Sequence, residues 1–379
     1  MIEKLNFSKI FKEHFGALFL CIFLRIRVKI FIKKNRRDNM VIRQGRYTLL
    51  LESKPSIIGS AAVVGKTEGE GPLANEFDHC YDDDSIDGCP SWEKAESALH
   101  RESVTRAIAK ADLSPKDIDL IMAGDLLNQC IGTSFGIREM QMPFMGMYGA
   151  CSTMALSMAT AGVLAESGVV NYAVASTSSH FASAERQFRL PLEYGGQRPP
   201  SAQRTATASG ASVITSHRKG TPCIKYAIFG KITDLGIKDA NNMGAAMAPA
   251  AASTIADFLT DTKTRPQDYD LILTGDLGKV GSGLLIDLLQ KDYDYDISAV
   301  HNDCGLMIYD LESQDVHAGG SGCGCSGSVV NSYIMRKLKS KELNKVLFVG
   351  TGALLSATSA LQGESIPSIA HGILLTSGE

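Results

Sequence analysis

Residues 117–126 read DIDLIMAGDL and residues 268–277 read DYDLILTGDL, seven identities in ten positions at an offset of 151. Each copy enters on acidic residues, continues through an apolar β-type run and stops at Gly-Asp, the pattern of a strand that ends in a turn. A helix-like segment with a Pro-containing connection precedes both copies, SVTRAIAKADLSPK (103–116) and AASTIADFLTDTKTRPQ (251–267). Downstream, GACS at 149–152 is matched by CGCS at 323–326, the offset growing from 151 to 174 through an insertion in the second copy. Both lead into small-residue helix candidates and then into apolar strands, NYAVAST (171–177) and KVLFVGTG (345–352). A period this long is not that of a solenoid. It implies two similar α/β halves packed as one body, 40–216 and 217–379. Strands such as LIMAG, AVAST, LILTG and LFVGTG are apolar throughout, as expected of a sheet covered by helices on both faces.

The chain has 379 residues, 44% of them hydrophobic and 21% charged, a composition that excludes disorder, collagen, a coiled coil and a multi-span membrane protein. A formal net charge of −3 does not fit a nucleic-acid binder. Residues 1–39 differ from the rest, with 10 Lys/Arg against 3 acids and a ten-residue apolar run, Phe15 to Leu24, followed at once by Arg25, Arg27 and Lys29. Ten apolar residues are too few to cross a bilayer as a helix, and basic residues stand where a signal-peptide cleavage site needs small ones. The expectation is that Met40 opens the protein proper and 1–39 stands outside the fold, with surface anchoring as the alternative. Any membrane association is then peripheral.

Nine cysteines at irregular spacing make neither a disulfide scaffold nor a zinc knuckle, and the C-x-C at Cys323 and Cys325 has no histidine pair behind it. The acidic stretch 75–93 contains DDDSIDG, which fails the calcium-loop pattern at its glycine and at Ile86, so it is read as a solvated loop. No metal site is expected. Residues 178–207 form a long polar stretch with Arg186, Arg189, Arg198 and Arg204, read as an ordered cover over a site.

Cys151 follows Gly149-Ala150 and opens a helix candidate from Ser152 to Glu166. The positive end of a helix favours a thiolate, and small neighbours let a substrate approach, so Cys151 is the candidate nucleophile. An inert, buried small residue is the other reading of the same position.

Two α/β halves with a cysteine at a helix start resemble the thiolase superfamily, and within it the beta-ketoacyl synthase III type. In that family the cysteine carries an acyl thioester, while a histidine in an H-Q-A-N-like turn and an asparagine in a G-N-T-S-A-A-S-like segment assist condensation. Here the corresponding turn reads Thr274-Gly275-Asp276, without histidine, and Cys323 falls where the asparagine is expected. The resemblance therefore keeps the nucleophile and loses both partners, which disfavours a functioning condensing enzyme.

A narrower resemblance covers roughly residues 44–377. The segments GPLANEFD (71–78), ASTSSHFASAERQFRLPLEYGGQRPPSAQRT (175–205), GDLGKVGSGLL (275–285) and HAGGSGCGCSGSVV (317–330) are similar to the stage V sporulation protein AD family. That resemblance implies a thiolase-like fold without catalysis and a subunit of the SpoVA membrane complex, peripheral at the forespore or spore inner membrane. It also implies binding of pyridine-2,6-dicarboxylic acid (dipicolinic acid, DPA), for loading into the developing spore and release at germination. The alternative is an active acyltransferase using Cys151. A homodimer is expected by analogy, and no cofactor is expected beyond calcium carried in a Ca-DPA chelate.

DPA is a flat aromatic dianion, and carboxylates are held by arginine forks or helix N-terminal amides. The expected ligand set is accordingly Cys151 and Ser152 at the helix start, Arg204 from the cover, Lys279 after the Gly-Asp turn, His180, His301 and Cys323. Asp276 joins them as an oxygen ligand for bound calcium.

Overall fold

The computed structural model describes residues 41–188 and 198–378. Ten strands carry the architecture. Five belong to the first half: β1 (Ser56–Val64), β2 (Leu120–Gly124), β3 (Phe144–Gly146), β4 (Tyr172–Ser179) and β5 (Ala208–Thr215). Five belong to the second: β6 (Cys223–Phe229), β7 (Leu271–Thr274), β8 (His301–Asp303), β9 (Lys345–Ala353) and β10 (Ser368–Thr376). Their spatial order is β1-β5-β4-β2-β3 in one half and β6-β10-β9-β7-β8 in the other, so each second-half strand repeats the place of the strand five before it. Pairing repeats as well. The first two contacts in each half are antiparallel and the last two parallel. The halves meet at Ser56 with Cys223, between β1 and β6, and the strand Thr48–Leu51 of the first half also pairs antiparallel with β6, at Tyr226, Ala227 and Ile228.

The acids of the sequence repeat explain why it is kept in both copies. Asp117 and Asp268 each close the Pro-containing turn before their strand, accepting the N–H of Ser114 and of Arg265 at 2.8 Å. Asp119 and Asp270 each tie the start of the neighbouring parallel strand, accepting the N–H of Asn171 and of Asn344 at 2.6 Å. A carboxylate with two acceptor oxygens satisfies exposed strand-end donors that the ladder leaves unpaired. The third acid of each copy, Asp125 and Asp276, is buried at the C-terminal end of β2 and β7.

Helix Trp92–Lys110 packs on β1, β5 and β4, and helix Met243–Thr262 on β10 and β9. Their starts are fixed by side-chain caps, Ser91 accepting the Lys94 N–H and Asn242 accepting the Ala245 N–H. Helix Thr153–Glu166 is rich in Ala and Met and packs on strands of both halves, the central position that an apolar surface all round requires. Helix Cys323–Val329 lies against β5 so closely that a Cβ on Gly210 would stand 2.0 Å from the Gly327 carbonyl oxygen. The glycines of GCGCSGS thus serve helix-to-sheet approach.

The acidic stretch is a loop with Asp82, Asp83, Asp87 and Gly88 exposed, but it is anchored to the fold. Ile86 and Tyr81 are buried, and the Asp84 carbonyl accepts from the His180 ring at 2.7 Å. The expected cover at 178–207 resolves into the end of β4, helix Phe181–Phe188 and the short strand Arg204–Thr205. Residues 189–197, with Arg189, and the extension 1–39 lie outside the described residues. Among the described residues no helix is long and apolar enough to cross a membrane.

Candidate functional site

The C-terminal ends of the parallel strands converge on the start of helix Thr153–Glu166, the place where open α/β sheets present their loops to a ligand. Ala150 takes a left-handed conformation, φ +49°, which turns the chain sharply just before Cys151. Cys151 is half-buried and lines a cavity whose empty space, open solvent at its mouth included, is about 480 Å³. Most of the wall is apolar, from Leu126, Tyr148, Phe188, Met243, Met247 and Leu355. Its polar groups are Cys151, Glu185, Thr205 and Ser321, with Thr205 Oγ1 donating to the buried Glu185 carboxylate at 3.1 Å.

The Cys151 thiol hydrogen-bonds to Asp276. Asp276 is fully buried and also accepts from Thr351 Oγ1 at 2.7 Å and from the Gly322 N–H at 2.8 Å. Burial, with a smaller push from the nearby Asp303 carboxylate, raises its carboxyl from the usual 3.8 to about 7, against the pull of these hydrogen bonds. A carboxylate beside a thiol opposes thiolate formation, whereas the imidazolium of an ordinary cysteine nucleophile promotes it. Cys323 packs in the same small cluster as Cys151, Leu126, Ala184 and Phe188. Its buried thiol donates to the Ser178 carbonyl at 3.0 Å, and burial holds it well above the usual thiol range.

Asp125, the counterpart of Asp276 in the repeat, accepts from the N–H groups of Leu127 and Thr133 and so fixes the loop that carries Leu126 to the cavity. Nearby Glu96 is pushed up to about 8 by burial and by the Asp125 charge.

The structure thus brings together Cys151, Asp276 and Cys323, and it places the other expected ligands differently. The Ser152 hydroxyl is buried and turns back to donate to the Gly149 carbonyl at 2.6 Å. Arg204 precedes Thr205 on a strand, where successive side chains take opposite faces. Thr205 lines the cavity while the Arg204 guanidinium stacks 4.0 Å over Phe181, 3.7 Å from the Asp84 carboxylate. His180 is buried against Trp92, its Nε2–H given to Asp84 and its Nδ1 accepting the Ala182 N–H. Lys279 is exposed on the second residue of helix Gly278–Tyr293. His301 donates from Nε2 to Thr274 Oγ1 at 3.0 Å, and burial lowers its ring to about 4, so it is a neutral strand-edge residue. Glu185, Thr205, Ser321 and Thr351 escaped the sequence reading. Their common signal is a polar residue at a strand end or on the cover helix, which many structural residues share. Among the described residues no group of three or more His, Cys, Asp or Glu side chains is set to hold a metal ion.

Comparison with known proteins places this geometry. The model of the family described as stage V sporulation protein AD matches residues 45–376. The stage V sporulation protein AD of Bacillus subtilis (strain 168) is 47% identical over 330 residues, 87% of this chain and 96% of that protein. Among solved structures, 3-oxoacyl-[acyl-carrier-protein] synthase III from Aquifex aeolicus VF5 superposes with a TM-score of 0.53 at 12% identity, covering 85% of this chain and 99% of its own. A single-residue variant of OleA from Xanthomonas campestris gives 0.54 at 12% identity, covering 85% and 98%. The fold is therefore thiolase-like α/β, and at such identity these two structures speak for the fold alone.

Proposed function

This chain belongs to the stage V sporulation protein AD family, and on that premise we propose that it is a non-catalytic DPA-binding subunit of the SpoVA complex. It takes DPA into the developing spore, releases it at germination, and sits peripherally at the spore inner membrane. The observation that carries the non-catalytic part of this reading is the Cys151–Asp276 pair. A thiol held against a carboxylate is a poor nucleophile, and no imidazole lines the cavity among the described residues. What remains is a mostly apolar slot, suited to the faces of an aromatic ring, with a few polar groups to orient its substituents.

Calorimetric titration of the full chain tests the proposal, using DPA and Ca-DPA as ligands and benzoate and pyridine-3,5-dicarboxylate as controls. Saturable heat with DPA or its calcium chelate, absent with both controls and lost in Cys151→Trp, is the expected result. A folded protein that gives no heat with either form, or that transfers a radiolabelled acyl group from acyl-CoA to Cys151, would replace it with an architectural or an acyl-transfer role.

A further inference from the structure

We propose that the paired side-chain amides of Asn128 and Gln187 form a clasp that narrows the mouth of the Cys151 cavity, so that a ligand of that cavity enters faster when the clasp opens. Gln187 Nε2 donates to Asn128 Oδ1 at 3.0 Å, and the Asn128 N–H donates to Gln187 Oε1 at 3.3 Å. Each of the two residues is a sequence neighbour of a residue that lines the cavity. Leu126 lies two positions before Asn128, and Phe188 directly follows Gln187. Outside, Asn128, Gln187, Tyr148, Phe188 and Leu355 line a surface groove, and the last three of these also line the inner cavity. The amide pair therefore stands on the groove side of the passage to the cavity.

The two sides are built differently. On the loop side Gln129 and Cys130 are both left-handed, φ +57° and +52°, a conformation that costs energy for residues with a Cβ. Asp125 pins both ends of this strained loop through Leu127 and Thr133, which leaves Asn128 and Gln129 exposed between them. On the helix side, the start of Phe181–Phe188 is moored by the Phe181 N–H on Thr207 Oγ1 at 3.1 Å and by the Arg204 stack. The mouth end of that helix is held to the loop by Gln187. Asn128 is exposed, so water replaces the amide bonds as they break, and the clasp is reversible.

Alkylation of Cys151 by iodoacetamide, followed by peptide mass spectrometry on the full chain, reads the opening without reference to the ligand's identity. Cys80 and Cys89, half-buried and away from the mouth, serve as internal references. Asn128→Ala and Gln187→Ala each raise the Cys151 rate roughly fivefold, the factor equivalent to about 1 kcal/mol, with the reference cysteines unchanged. The double swap Asn128→Gln/Gln187→Asn keeps an amide on each side and returns the rate toward wild type. Unchanged Cys151 rates in both alanine variants overturn the clasp. So does an equal acceleration at Cys80 and Cys89, which would mean general loosening, or a swap that labels as fast as the alanine variants.

Discussion

The Cys151 thiol meets a carboxylate where a cysteine nucleophile needs a cation, and the same carboxylate leaves a signature in the pH dependence of stability. Asp276 holds its proton up to about pH 7 in the folded chain and to about 3.8 when unfolded, chiefly because of burial. Between those values the folded state binds more protons. Stability contributed by the protonated form is thus full below about pH 4 and lost as the pH rises through 7. Asp276→Asn removes this dependence. Urea unfolding at pH 5 and pH 8 is expected to show a wild-type loss larger than the variant's by on the order of 2–3 kcal/mol. Glu68, raised to about 7, and Glu96, raised to about 8, act in the same direction and remain in the variant. Parallel behaviour of the two proteins between the two pH values would show that Asp276 is ionised throughout.

Among the elements, helix Cys323–Val329 makes a tight demand, because its approach to β5 requires glycine on both sides. Gly210→Ala places a methyl against the Gly327 carbonyl and is expected to cost about 3 kcal/mol or more in chemical denaturation. An alanine variant as stable as wild type would mean the helix rides freely over the sheet. Elements set by local pattern were readable beforehand. The apolar runs ending in Gly-Asp became β2 and β7, and the helix after Cys151 starts at Thr153 with Ser152 at its cap. Helix Trp92–Lys110 begins eleven residues before the helix-like stretch at 103, since its first turns are polar and Ser91, rather than hydrophobic spacing, marks the start. The direction of Arg204 was not readable, because strand alternation sends it to Phe181 and its neighbour Thr205 to the cavity. Nor was the Asp276–Thr351 bond, which joins residues 75 apart in sequence.

At the scale of the whole molecule, β3 closes one edge of the sheet with Phe144, Met145 and Gly146 all exposed, five residues before Cys151 in the case of Gly146. An unpaired edge carrying large apolar side chains is the part of this surface most suited to a second copy. A homodimer built on that edge predicts that Met145→Asp halves the sedimenting mass at micromolar concentration. A monomeric wild type, or a variant that sediments unchanged, would place any self-association elsewhere. The duplication itself is plain in the repeat and in the matched strand order, yet it has not left two independent modules. Helix Thr153–Glu166 belongs by sequence to the first half and rests on strands of both. Peeling either half away would strip that helix of part of its bed and expose an alanine- and methionine-rich surface to water. The doubled fold is therefore expected to melt as a single cooperative unit, its ancestry legible in its plan and erased from its thermodynamics.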